Sequence, residues 1–67
     1  MILTAIRNEL GLKPAEFARR IGASPGQLHD WENGRQRLTL EAAAKIERAL
    51  GRGGVVEAVV AERTAAA

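Results

Sequence analysis

Glycines stand at positions 11, 22, 34 and 51, and each follows a run whose apolar residues recur at helical spacing. A glycine just past a helix end accepts the left-handed conformation that closes the last turn. Leu3, Ile6 and Leu10 share one face of a first helix, and Phe17, Ala18 and Ile21 one face of a second. Leu28 and Trp31 line a third, and Ala43, Ile46, Ala49 and Leu50 a fourth. The run "EAAAKIERAL" is also rich in strong helix formers.

The starts agree with these stops. Ser24 followed by Pro25 places a capping hydroxyl beside a proline whose missing N–H costs nothing at a first helical position. Gln27, three residues on, completes a capping-box pattern, and Thr39 suits the cap of the fourth helix. The second helix is less well provided, because Lys13 before Pro14 offers no acceptor. Beyond Gly51, Val55, Val56, Val59 and Val60 fit a helical stripe better than a strand, although their β-branching keeps a strand open. The final residues, 64–67, are expected to fray. The expectation is therefore an all-α chain: one compact five-helix domain over residues 1–63, with a helix-turn-helix at about 14–33 and a possible dimerisation helix at about 54–63.

With 67 residues and no cysteine, the core is modest, and neither disulfides nor thiolate–metal sites can supplement it. The apolar runs are far shorter than a membrane span, and "MILTAIRNEL" lacks the pattern of a secretory leader. A cytoplasmic, nucleoid-associated protein with no membrane contact is expected. The net charge is only +2, but the whole excess lies in residues 13–37, with five basic against three acidic side chains. A localised basic face of this size suits a polyanion and equally suits an ordinary solvated surface.

The second and third helices are joined by Gly22 and Ala23 alone, with Ser24 as cap. So short a joint forces a sharp angle between them, as in a helix-turn-helix, and Ala18 and Ala23 keep the corner small. At about 100° per residue, Ser24, Leu28, Trp31 and Glu32 fall on the inner side of the third helix. Gly26, His29, Asp30 and Asn33 fall outside, with Gln27 on the flank. A helix kept only for packing usually exposes long charged side chains. This one exposes short hydrogen-bonding groups near its amino end, the part that enters a major groove in helix-turn-helix docking. Trp31 shares the face of Leu28 and reads as a core anchor rather than a base-stacking platform.

The stretch "LGLKPAEFARRIGASPGQLHDWENGR" followed by "LTLEAAAKIERALG" resembles the lambda-repressor-like helix-turn-helix domains of phage and bacterial regulators, the Cro and Xre type. The segments "EFARRIGAS", "WENGR" and "LEAAAKIERALG" carry the likeness, which covers roughly residues 2 to 51. It implies that the third helix reads base edges through Pro25, Gly26, Gln27, His29 and Asp30. It implies backbone phosphate contacts at Asn33, Arg35 and Arg37, with Lys13 and the start of the second helix as a further one. It also implies an ion pair between Arg7 and Glu32, consistent with the inward position of Glu32 on the wheel.

The departures from the family pattern bear on the site. Pro25 and Gly26 stand where polar pairs are usual, and Pro14 replaces a customary glutamine that clamps the backbone. Gln27 can pair with an adenine edge, in competition with its capping role. His29 can donate to guanine or phosphate, or simply be solvated, and no second histidine or carboxylate cluster suggests a metal. Asp30 can accept from a base amino group such as cytosine N4, or can pair with Arg35. Arg19 and Arg20 are as well explained by solvation as by DNA.

One module of this size binds weakly, so a homodimer reading two half-sites about 34 Å apart is expected. The stripe Val55, Val56, Val59 and Val60 is the candidate pairing surface, with closure of the monomer core as the competing role. The leading functional reading is a homodimeric repressor that binds a double-stranded DNA operator. The rivals are a DNA-binding antitoxin with a toxin protein partner, and a helix-turn-helix used for protein contact only. With one histidine, no cysteine and no tyrosine, no nucleophile and base set can be assembled, so neither an enzyme nor a cofactor is expected. "GRGG" lacks the lysine and preceding strand of a phosphate-cradling loop.

Overall fold

The computed structural model describes residues 1–66. Five helices follow one another: α1 (Ile2–Leu10), α2 (Pro14–Ile21), α3 (Pro25–Glu32), α4 (Leu40–Leu50) and α5 (Val55–Ala66). No strand occurs among the described residues, so the valine run takes its helical alternative and the all-α, five-helix architecture is the one observed.

The four glycine stops close their helices in one way. The N–H after each glycine donates to a carbonyl five residues back: Leu12 to Arg7 at 3.1 Å, Ala23 to Ala18 at 2.9 Å, Arg35 to Asp30 at 2.9 Å and Arg52 to Glu47 at 3.2 Å. This closure satisfies carbonyls that the helix itself leaves bare, and it requires positive φ at the residue between. At Gly22 that angle is 76°, which an L side chain adopts only under strain.

At the amino ends, Ser24 Oγ accepts from the Gln27 N–H and Thr39 Oγ1 from the Ala42 N–H, each at 3.1 Å. Where Lys13 supplies no acceptor, the Glu16 carboxylate reaches back to the Lys13 N–H at 3.4 Å. Helix α5 receives its cap from another helix: Glu47 Oε2 on α4 accepts from the Val56 N–H at 2.9 Å.

One cluster of buried side chains unites the helices: Leu3, Ile6, Phe17, Ala18, Ile21, Leu28, Trp31, Leu38, Ala43, Ile46, Val55 and Val59. Helix α5 packs on α4 and α1, while α2 packs on α3 and α4. Two residues expected in this core lie outside it. Leu10 is 44% exposed at the last turn of α1, and Leu12, just past the stop, turns back onto the core instead. Ala49 is exposed because it falls about 120° round α4 from Ala43, whereas Leu50 stays on the buried side. Helix α5 includes residues 64–66 of the segment expected to fray, and Ala67 lies outside the described residues.

Candidate nucleic-acid interface

The interface is built from the corner at Gly22. Ala18 is fully buried and Ala23 partly so, which lets α2 and α3 approach closely behind the turn. Phe17 and Ile21 support that corner from α2, and Leu28 and Trp31 anchor α3 from the inner side, with Trp31 only 7% exposed. Anchored from behind, α3 turns Pro25, Gly26 and His29 to solvent, with Gln27 and Asp30 partly exposed at its flanks. The five residues expected to read bases therefore occupy one accessible edge of a single two-turn helix.

Gly26 has no internal explanation. A β-carbon built there meets nothing within 4 Å, and its φ is not in the left-handed region. Neither packing nor backbone geometry requires glycine at this place, although glycine within a helix costs about 0.5–1 kcal/mol relative to alanine.

Gln27 donates its main-chain N–H to Ser24 Oγ, and among the described residues its side chain makes no hydrogen bond within the chain. The return arm of the expected capping box is therefore not formed, and the amide is free of the competition foreseen for it. The Asp30 carbonyl accepts from the N–H groups of Arg35 at 2.9 Å and Gln36 at 3.3 Å, which fixes the chain leaving α3. Its carboxylate makes no ion pair with Arg35 among the described residues, so the contact between the two is main-chain only.

Asn33 ends the helix. Its N–H donates to the His29 carbonyl at 3.0 Å, and its side-chain Nδ2 donates to the same oxygen at 2.8 Å. The same Nδ2 lies 3.2 Å from His29 Nδ1. Asn33, expected at a phosphate, thus has its amide nitrogen engaged by His29. Lys13, Arg35 and Arg37 are exposed, as are Arg19 and Arg20. Lys13 stands at the α2 amino end next to the Glu16 carboxylate, while Arg37 borders a cleft with Met1, Trp31, Val59 and Glu62.

Behind the interface, Arg7 Nε lies 3.3 Å from Glu32 Oε2, with the two side chains 19% and 14% exposed. The hydroxyl of Thr4 donates to the same oxygen at 2.6 Å. Thr4 was not singled out in the sequence; its place one helical turn before Arg7 was the available signal. Of the four valines expected at a pairing surface, Val55 and Val59 are buried in the chain's own core. Val56 packs partly against that core, and Val60 is 46% exposed. None of the described helices is long and apolar enough to cross a membrane.

A family model described as Helix-turn-helix matches residues 3–54. No curated protein and no solved structure gives a significant match. The matched segment takes in nearly all of α1, the whole α2–turn–α3 corner and α4. With its short polar edge outward and its leucine and tryptophan anchors inward, the chain belongs to the lambda-repressor-like, Cro/C1-type helix-turn-helix family of DNA-binding regulators.

Proposed function

We propose that the protein is a sequence-specific transcriptional regulator, a homodimeric repressor that lays α3 in the major groove of an operator. The observation that carries this reading is the solvent edge of α3, where Pro25, Gly26 and His29 are exposed beside the half-buried Gln27 and Asp30. Short side chains let the backbone of a recognition helix come close to base edges, and Gly26 supports that approach because nothing inside the molecule demands it. Gln27 is free to pair with an adenine edge, and Asp30 restricts its neighbour to a base offering an amino group. Arg35, Arg37 and Lys13 supply the phosphate contacts that set register without reading sequence.

Dimerisation rests on the outer edge of α5, where Val60 is exposed and Val56 half-covered. Two copies double the contacted surface, which a single small module needs for useful affinity. The test is a gel-shift titration with duplex DNA from upstream of the protein's own gene, at two salt concentrations, against an unrelated duplex of equal length. A regulator retains its own DNA at the higher salt after the unrelated duplex has been released. Loss of both duplexes together would remove sequence specificity, and retention of neither at low salt would remove DNA binding altogether.

A further inference from the structure

We infer that Asn33 is a positioning residue that holds His29 as a one-sided hydrogen-bond donor, aimed at the acceptor edge of a guanine. The inference rests on the DNA-reading role proposed for α3 and names one of its base contacts.

The argument is one of donor and acceptor accounting. A backbone carbonyl can only accept, so the atom of Asn33 lying 2.8 Å from the His29 oxygen must be the amide nitrogen and not Oδ1. That assignment fixes the amide's orientation, which side-chain geometry alone leaves open by a flip. The same nitrogen lies 3.2 Å from His29 Nδ1. An amide nitrogen has a second hydrogen and no accepting capacity, so a hydrogen bond between these two atoms requires Nδ1 to present its lone pair. In the neutral ring the proton then sits on Nε2, the far side of the imidazole.

Two consequences follow. Both Asn33 amide hydrogens are committed to His29, which leaves only Oδ1, an acceptor with nothing to offer a phosphate oxygen. His29, exposed on the outer edge of α3, presents a single donor and no acceptor. In a major groove adenine N7 and thymine O4 can each take such a donor, but guanine, with two acceptors, O6 and N7, and no donor, offers it the most favourable edge, and the cytosine amino group turns it away. The helix-ending residue thereby acts on sequence preference through a neighbour four positions earlier.

The test has two arms. His29 is the chain's one histidine, so its ring nitrogens are assigned without ambiguity in long-range nitrogen–proton spectra of the free protein. The neutral ring is expected to carry its proton on Nε2, with the Nδ1 resonance displaced by the Asn33 hydrogen bond and returned in Asn33→Ala. A proton found on Nδ1, or a resonance that Asn33→Ala does not move, overturns the role of Asn33 whatever the DNA result.

The second arm is a selection from duplexes of random sequence with wild type, His29→Ala and Asn33→Ala at one salt concentration. Wild type is expected to enrich guanine at one position per site. His29→Ala should abolish that preference alone, and Asn33→Ala should reduce it with the preferences at other positions unchanged. Exchanging that guanine for cytosine, which presents an amino group in place of both acceptors, should weaken wild type by roughly three- to tenfold, the range of one hydrogen bond, and leave His29→Ala unaffected. Uniform weakening of Asn33→Ala across all sequences with the guanine preference intact would return Asn33 to a phosphate and overturn the inference alone. Retention of no duplex by the wild type would overturn the regulator reading and the guanine assignment together.

Discussion

Arg7 Nε lies 3.3 Å from Glu32 Oε2, so the last residue of α3 is tied to the middle of α1, twenty-five positions earlier in the chain. The oxygen they share also accepts the Thr4 hydroxyl. Both charged side chains are largely covered, so removing one leaves the other poorly solvated. Arg7→Ala is expected to destabilise the fold by about 1–3 kcal/mol, a fall in Tm of several degrees for a domain of this size. Thr4→Val should cost less, and the two losses should not add, because they act on one oxygen. Thermal melts of the two single variants and the double variant check this; an unchanged melting curve for Arg7→Ala would dismiss the pair as a stabilising contact.

Arg35 leaves α3 with its main chain fixed on Asp30 and its side chain in solvent. A phosphate contact there gives affinity without base preference. Arg35→Ala is expected to weaken binding to cognate and unrelated duplexes alike, and to reduce the slope of log affinity against log salt by about one unit. Titrations across a series of salt concentrations provide the measurement. An unaltered slope would place Arg35 away from the DNA backbone.

Gly26 separates folding from function. Since a β-carbon at this site meets nothing within 4 Å, Gly26→Ala should stabilise the protein by about 0.5–1 kcal/mol. The same methyl should weaken DNA binding if the helix backbone lies close to the base edges. A thermal melt and a gel shift on one variant therefore have opposite expected signs. A variant that is more stable and binds DNA as well as wild type would show that the groove does not reach position 26.

Val60 offers a clean probe of assembly, because it is exposed while Val55 and Val59 are not. Val60→Asp is expected to lower the dimer fraction in sedimentation at high micromolar protein, with stability changed by no more than about 0.5 kcal/mol. A wild type that stays monomeric with and without DNA would remove the dimer from the proposal.

Most of the fold was legible because the glycine stops and capping hydroxyls are local signals, and the structure uses the stops at Gly11, Gly22, Gly34 and Gly51 in one common way. The errors fall where a helix ends or a side chain reaches across to another element. Leu10 obeys the period of α1 but lies at its last turn, and periodicity does not record how far the neighbouring helices extend. Leu38 belongs to the core although it sits in a connection between helices, where no period exists to reveal it. The cap supplied by Glu47 to α5 joins residues on different helices, so no local capping pattern announces it. In the candidate interface the exposed edge of α3 followed from wheel geometry. The engagement of Asn33 with His29 did not, because it depends on two rotamers rather than on spacing.

The reach of Glu47 to the Val56 N–H has a bearing on how such a chain can diversify. A carboxylate that grips the main chain is blind to the side chain at position 56, so the entry point of the terminal helix is set by the helix before it. Residues on its outer rim are then at liberty to drift, acquiring or shedding companions, while the half that carries α3 keeps its shape.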